Sequence, residues 1–163
     1  MTAARVCDGY RPGVIARLIG LHMAYYAPVW GFGRPFESKL AAETGAFFAR
    51  FDADRDLFLA AWSGDDLAGA VTIDGADATG AGHLRWFIVA DAWRGRGLGA
   101  ELLARALATA DARGCPRLHL TTFAGLDPAR RLYERFGFAL VAERADDAWS
   151  GGVGEQRFER PRP

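Results

Sequence analysis

The chain has 163 residues, half of them apolar and a quarter charged, a balance suited to one globular domain that buries roughly two thirds of its unfolded surface. Basic and acidic residues number 20 each, so no long-range field draws the chain toward nucleic acid or an anionic membrane. Two cysteines, Cys7 and Cys115, leave a disulfide scaffold and a zinc finger unsupported; with no leader-like amino terminus and no apolar run of bilayer length, the cytoplasm is the expected compartment.

In chain order, Arg5 to Gly9 reads as a short first strand and Pro12 as a first helical position. From Val14, the residues Ile15, Leu18, Ile19, His22, Met23 and Tyr26 fall on one face of a helix expected to end near Pro28. Residues 28–35 read as a turn-rich loop carrying Trp30 and Phe32. A second helix is expected from Phe36 through Leu40, Phe47, Phe48 and Phe51, broken by the acidic run Asp52 to Asp56. Leu57 to Trp62 and Leu67 to Ile73 read as a hairpin joined at Ser63-Gly-Asp-Asp66. After a glycine-rich connection, His83 to Val89 reads as a buried strand.

Next comes Arg94-Gly-Arg-Gly97-Leu-Gly99, and then Leu98, Leu102, Leu103, Ala106, Leu107 and Ala110 recur at the spacing of a one-faced helix. A strand thus feeds a glycine-rich turn that feeds a helix, whose first N–H groups lack internal partners and carry the positive end of its dipole. That is a place for an anion. Gly95, Gly97 and Gly99 permit close approach of a ligand, and Arg94 and Arg96 add charge. A Walker loop would require a Gly-Lys-Ser/Thr ending, but the sole lysine is Lys39. A dinucleotide fingerprint would require an acidic strand end about twenty residues on, and Asp111 to Pro116 supplies none.

Arg113-Gly-Cys-Pro116 stops the helix, and Arg117 to Phe123 is the next strand. Asp127-Pro128 reads as an N-cap and first helical proline of a short helix carrying Tyr133. Phe138 to Arg144 and Gly154 to Glu159 close the chain as two strands, joined by a loop with Trp149 and Gly151-Gly152.

Arg94-x-x-Gly97-x-Gly99, with Val89 five residues before it, resembles the acetyl-CoA motif of the GCN5-related N-acetyltransferase (GNAT) family. Ala129-x-x-Leu132-Tyr133-Glu134-x-x-Gly137-Phe138 is similar to a second signature of that family. The run His22-x-x-x-Tyr26 followed by Trp30-Gly31 and an aromatic residue resembles a branch sometimes fused to MarR-type regulators. The resemblance implies an α/β (α+β) fold, with a mixed central sheet of about six or seven strands and about four helices, in a single domain over 1–163. It also implies acetyl-CoA as donor co-substrate, no metal, and a small-molecule or peptide amine as acceptor, attacking directly in a ternary complex. No nucleic acid or membrane partner is expected, and the family admits a homodimer.

Residue by residue, the resemblance places the pyrophosphate of coenzyme A on Arg94, Gly95, Arg96, Gly97, Leu98 and Gly99, and the pantetheine arm along Phe87, Ile88 and Val89. An N–H near Ile88 is the implied oxyanion donor, and Tyr133 the implied acid for the departing thiolate. The position six residues before Val89, where some members carry a catalytic glutamate, is His83, a candidate base that would act directly or through a water. His22 is a second candidate, and His22, Tyr26, Trp30 and Phe32 are expected to contact the acceptor; His119 is taken as structural. Two departures stand out: Asp91 where proline is frequent, and no asparagine between Phe123 and Leu126 to reach the pantetheine. The rival readings are transfer of a longer acyl group and a non-catalytic acyl-CoA sensor.

Overall fold

The computed structural model describes residues 3–75, 79–145 and 153–163, so the loop expected around Trp149 and Gly151-Gly152 lies outside the described residues. Its strands are β1 (Arg5–Asp8), β2 (Leu57–Ser63), β3 (Asp66–Asp74), β4 (Gly82–Val89), β5 (Arg117–Phe123), β6 (Ala139–Arg144) and β7 (Glu155–Pro161). The helices are α1 (Val14–Trp30), α2 (Arg34–Ala49), α3 (Leu98–Ala112) and α4 (Asp127–Arg135). The strands form one mixed sheet in the order β1-β2-β3-β4-β5-β7-β6, in which only β4 and β5 are parallel. This is the expected architecture.

Because side chains alternate across a strand, β2 divides its residues between two cores. Leu57, Leu59 and Ala61 join Leu102, Leu103, Ala106 and Leu107 of α3 on one face. Phe58, Ala60 and Trp62 join Val14 and Leu18 of α1 on the other. The six apolar positions of the α3 pattern are all buried. An aromatic third cluster, built on Phe32, Phe36 and Phe123, closes the gap between the α1–α2 connection and the end of β5.

Most element boundaries shift by one or two residues from the sequence pattern, and three of the differences have a clear local cause. Helix α1 runs through Pro28 to Trp30, because the missing N–H removes one bond while Gly31, left-handed at φ 69, ends the helix with Gly31 N–H donating to Ala27 O and Phe32 N–H to Tyr26 O. Pro12 sits in the turn before α1, and Gly13 at φ 86 is the N-cap. Asp127 is the first helical residue of α4, with Leu126 before it, so its carboxylate does not cap the helix.

Two irregularities shape the centre of the sheet. Between the pairs Ala70↔Ile88 and Thr72↔Arg85, Trp86 and Phe87 stand opposite the single residue Val71, and Trp86 takes φ 50. That is a β-bulge, which bends β4 and increases its twist. Pairing of β4 with β5 then stops at His83↔His119, so the two strands part over the rest of their length.

Candidate active site

Past the end of β4, a 3₁₀ turn at Asp91–Trp93 leads into the glycine-rich loop. Gly95 (φ 69) and Gly97 (φ 82) are both left-handed, and a Cβ built on either would meet nothing within 4 Å. The cradle is therefore open on its ligand side. Among the described residues, no N–H from Gly95 to Ala100 makes a backbone hydrogen bond of ordinary geometry, which leaves the amides at the head of α3 for an anion. Arg94 closes one side: its Nε donates to Val89 O at 3.1 Å, its Nη1 pairs with Asp91 at 3.2 Å, and its guanidinium lies 4.2 Å from the centre of the Tyr25 ring.

The parting of β4 and β5 opens two cavities. One, of about 320 Å³, is walled by Phe87, Ile88, Val89, Arg94, Gly95, Gly97, Leu98 and Gly99 together with α4 residues including Leu132 and Tyr133. Every position that the resemblance assigns to the coenzyme lies on this wall except Arg96. Arg96 stacks instead over Trp93, with its guanidinium 5.7 Å from the ring centre.

The second cavity, of about 290 Å³, lies over the α1–α2 face of the sheet, where His22, Tyr26, Lys39, Glu43, His83, Arg85 and Glu155 contribute to its lining. Four residues, Tyr26, Phe87, Thr122 and Tyr133, line both cavities. The two cavities therefore meet at two phenols, one phenyl ring and one hydroxyl. Thr122 is the polar side chain that β5 brings to the junction, where the family's asparagine is missing.

Tyr133 is buried among Phe87, Phe138 and Phe158, with ring centres 5.9, 6.0 and 6.2 Å away. Burial, with the phenol of Tyr26 nearby, pushes its pKa well above the ordinary value, so it remains a hydroxyl donor through neutral pH. Tyr26 is likewise pushed up by burial and by Tyr25. It is the hub of the aromatic cluster, 4.9 Å from Tyr25, 5.2 Å from Phe36 and 5.4 Å from Phe32.

Both candidate base histidines are neutral at pH 7. His22 donates from Nδ1 to Leu18 O at 2.8 Å, which fixes its tautomer, and burial pushes its pKa down to about 4. His83 stacks on His119 with ring centres 4.5 Å apart. Burial, then His119, Arg85 and Arg157, push its pKa down to about 3, against the opposing pull of Asp74. A neutral imidazole offers a hydrogen-bond acceptor to this cavity. Trp30 lines neither cavity; it packs on the loop before α4, where a Cβ at Gly125 would lie 3.0 Å from its ring.

Sequence reasoning missed an ionic network that reaches the second cavity through Lys39, Glu43 and Arg85. Arg85 donates to Glu43 at 2.6 Å and to Asp74 at 3.2 Å, Lys39 pairs with Glu43 at 2.5 Å, and Arg50 holds Asp74 at 2.5 Å. These residues come from α2, β3, β4 and the end of α2, so no local spacing marks them.

Comparison with known proteins bears on the family and the fold. The profile of the acetyltransferase (GNAT) family matches residues 17–138. The uncharacterized N-acetyltransferase YsnE of Bacillus subtilis (strain 168) is 35% identical over 100 residues, covering 55% of this chain; the chain spans about 60% of that relative's length. A crystal structure assigned to the GNAT family from Desulfovibrio desulfuricans superposes with a TM-score of 0.75 at 25% identity, covering 99% of this chain and 100% of that one. Nourseothricin acetyltransferase superposes with a TM-score of 0.60 at 28% identity, covering 69% and 68%. The chain belongs to the acetyltransferase (GNAT) family.

Proposed function

We propose that the protein transfers an acetyl group from acetyl-CoA to a primary amine by direct attack in a ternary complex. The observation that carries this reading is the meeting of the two cavities at Tyr26, Phe87, Thr122 and Tyr133: one is floored by the open amides of the glycine loop, the other by polar side chains of the α1–α2 face. The acceptor nitrogen, entering from the second cavity, attacks the thioester carbon at this junction. The carbon–sulfur bond breaks, the sulfur leaves with the electron pair, and the nitrogen sheds its proton to water. Tyr133 offers an O–H to the departing sulfur, and the bulged backbone beside Ile88 offers an N–H to the developing oxyanion, a contribution typically worth about 3 kcal/mol.

His83 accepts a hydrogen bond from the incoming amine and orients it; His22 and Tyr26 shape the wall. Trp30 and Arg96 act only indirectly, through the loop before α4 and through Trp93. We assign the reaction to the cytoplasm with a small-molecule or peptide amine as acceptor, and the homodimer and the MarR-fused branch stay as readings of the sequence likeness alone. No metal enters the proposed chemistry.

Release of free thiol from acetyl-CoA in the presence of an amine panel tests the reading. Turnover that depends on the amine supports it; coenzyme binding without turnover across a broad panel would favour the acyl-CoA sensor. Faster turnover of longer thioesters would favour the longer-chain transferase.

A further inference from the structure

Alternation along β7 sends Gln156, Phe158 and Arg160 to the α3 side, where Phe158 joins the core and Arg160 makes two 2.8 Å bonds to the Asp111 carboxylate. Glu155, Arg157 and Glu159 therefore occupy the face that carries the acceptor-side cavity. Carboxylates on this face are neutralised. Glu43 and Asp74 are held by Lys39, Arg85 and Arg50, and Glu159 by Arg157 at 3.1 Å.

Glu155 is the exception. It is half-buried, lines the cavity, and makes no ion pair or side-chain hydrogen bond with another described residue, although Arg144 lies opposite it in the β6–β7 register. A partly desolvated carboxylate without a partner is costly unless a ligand cation compensates it. The rest of that cavity is rich in rings, Tyr26, Phe36, Trp86 and Phe123, whose faces also attract a cation. Of the two cavities that meet at the junction, Glu155 lines only the one over the α1–α2 face, and it is absent from the four shared residues; its other side borders a shallow pocket with Arg144 and Gln156. A cation held there need not lose its proton while a second amine of the same molecule reaches the junction neutral.

We propose that Glu155 is a specificity-determining residue that anchors a second, non-reacting ammonium, so that the preferred acceptors are diamines or other amines bearing an additional cationic group. The direction of the reactive end rests on the acetyl-transfer reading above; the cation site does not.

The test has a binding arm and a turnover arm, both at low ionic strength and with full-length wild type and Glu155→Gln. In the binding arm, 1,4-diaminobutane is titrated by calorimetry into protein with and without CoA, against 1,4-butanediol as the neutral isostere. The expected result is diamine binding that weakens at least about tenfold in Glu155→Gln, with thermal midpoint and CoA affinity unchanged. In the turnover arm, 1,4-diaminobutane is expected to exceed butylamine in kcat/KM by about tenfold or more, the gap closing in the variant through KM. Unchanged diamine affinity in Glu155→Gln, or equal turnover of butylamine by wild type, overturns the proposal. Diamine binding with no turnover of any amine would instead sink the acetyl-transfer reading and leave the cation site standing.

Discussion

Phe87 and Tyr133 face each other across the gap between β4 and α4 with ring centres 5.9 Å apart, and both rings line the donor-side and the acceptor-side cavities. One comes from the bulge in β4 and the other from a helix that begins four residues after β5 ends, so the separation of the two strands sets their spacing. The hydroxyl of Tyr133 is the only side-chain donor in this pair.

Tyr133→Phe keeps the packing on Phe87, Phe138 and Phe158 and removes only that hydroxyl. The expected result is a fall in kcat of about 10²-fold or more, the ordinary scale for losing a positioned acid. CoA affinity should hold, and stability should change by less than about 1 kcal/mol. Steady-state kinetics with calorimetry checks this, and an unchanged kcat would remove Tyr133 from the chemistry.

A second prediction concerns the close approach of β3 to the bulge. A Cβ on Gly69 would lie 2.9 Å from Ile88 O and 3.1 Å from Leu102 Cδ1, so Gly69→Ala forces backbone to move. Destabilisation by about 1–3 kcal/mol is expected, together with lower kcat as the β4 backbone shifts. Gly45→Ala, inside α2 with nothing within 4 Å of the new Cβ, should stabilise by about 0.5–1 kcal/mol. Urea denaturation of the two variants separates a packing effect from a general intolerance of glycine replacement.

The histidines set a pH dependence of stability. In the unfolded chain His22 and His83 take up protons near pH 6.5, but in the folded chain only near pH 4 and pH 3. The unfolded state therefore binds more protons between those limits, so stability is greatest above pH 6.5 and falls as the pH drops toward 4. Each histidine contributes a slope of up to about 1.4 kcal/mol per pH unit. Denaturant titrations from pH 7 to pH 4.5 should show this decline, and His22→Gln and His83→Gln should each flatten it. A flat profile for the wild type would contradict the burial assigned to both rings.

For the same reason, the pH profile of kcat/KM should rise with the ionisation of the acceptor amine and show no enzyme group titrating between pH 5 and pH 8. His83→Gln should lower activity by less than about tenfold, as expected for loss of an orienting hydrogen bond. An inflection near pH 6.5 that vanishes in His83→Gln would restore His83 as a general base.

Local spacing made the glycine-rich turn and the helix after it legible. The α3 pattern from Leu98 to Ala110 is buried in full, and Gly97, read as an open turn residue, takes the left-handed conformation that starts the helix. The acceptor side was less legible because it is assembled from distant residues: Glu43, Arg85 and Glu155 belong to α2, β4 and β7, and meet only when the sheet forms. Trp30 lies on α1 and not in a loop, since Gly31 and not Pro28 stops the helix, and the added turn directs the indole toward Gly125. The Trp86 bulge also left no local mark, because nothing in a run of four apolar residues shows that one of them takes a positive φ.

The most direct measurement is calorimetric titration of CoA into the wild type and into Arg94→Glu. The open amides from Gly95 to Ala100 with the Arg94 guanidinium beside them predict a one-to-one isotherm for the wild type, weakened at least about tenfold when that charge is reversed. No heat with the wild-type protein, or equal affinity in Arg94→Glu, would contradict a coenzyme cradle at the head of α3.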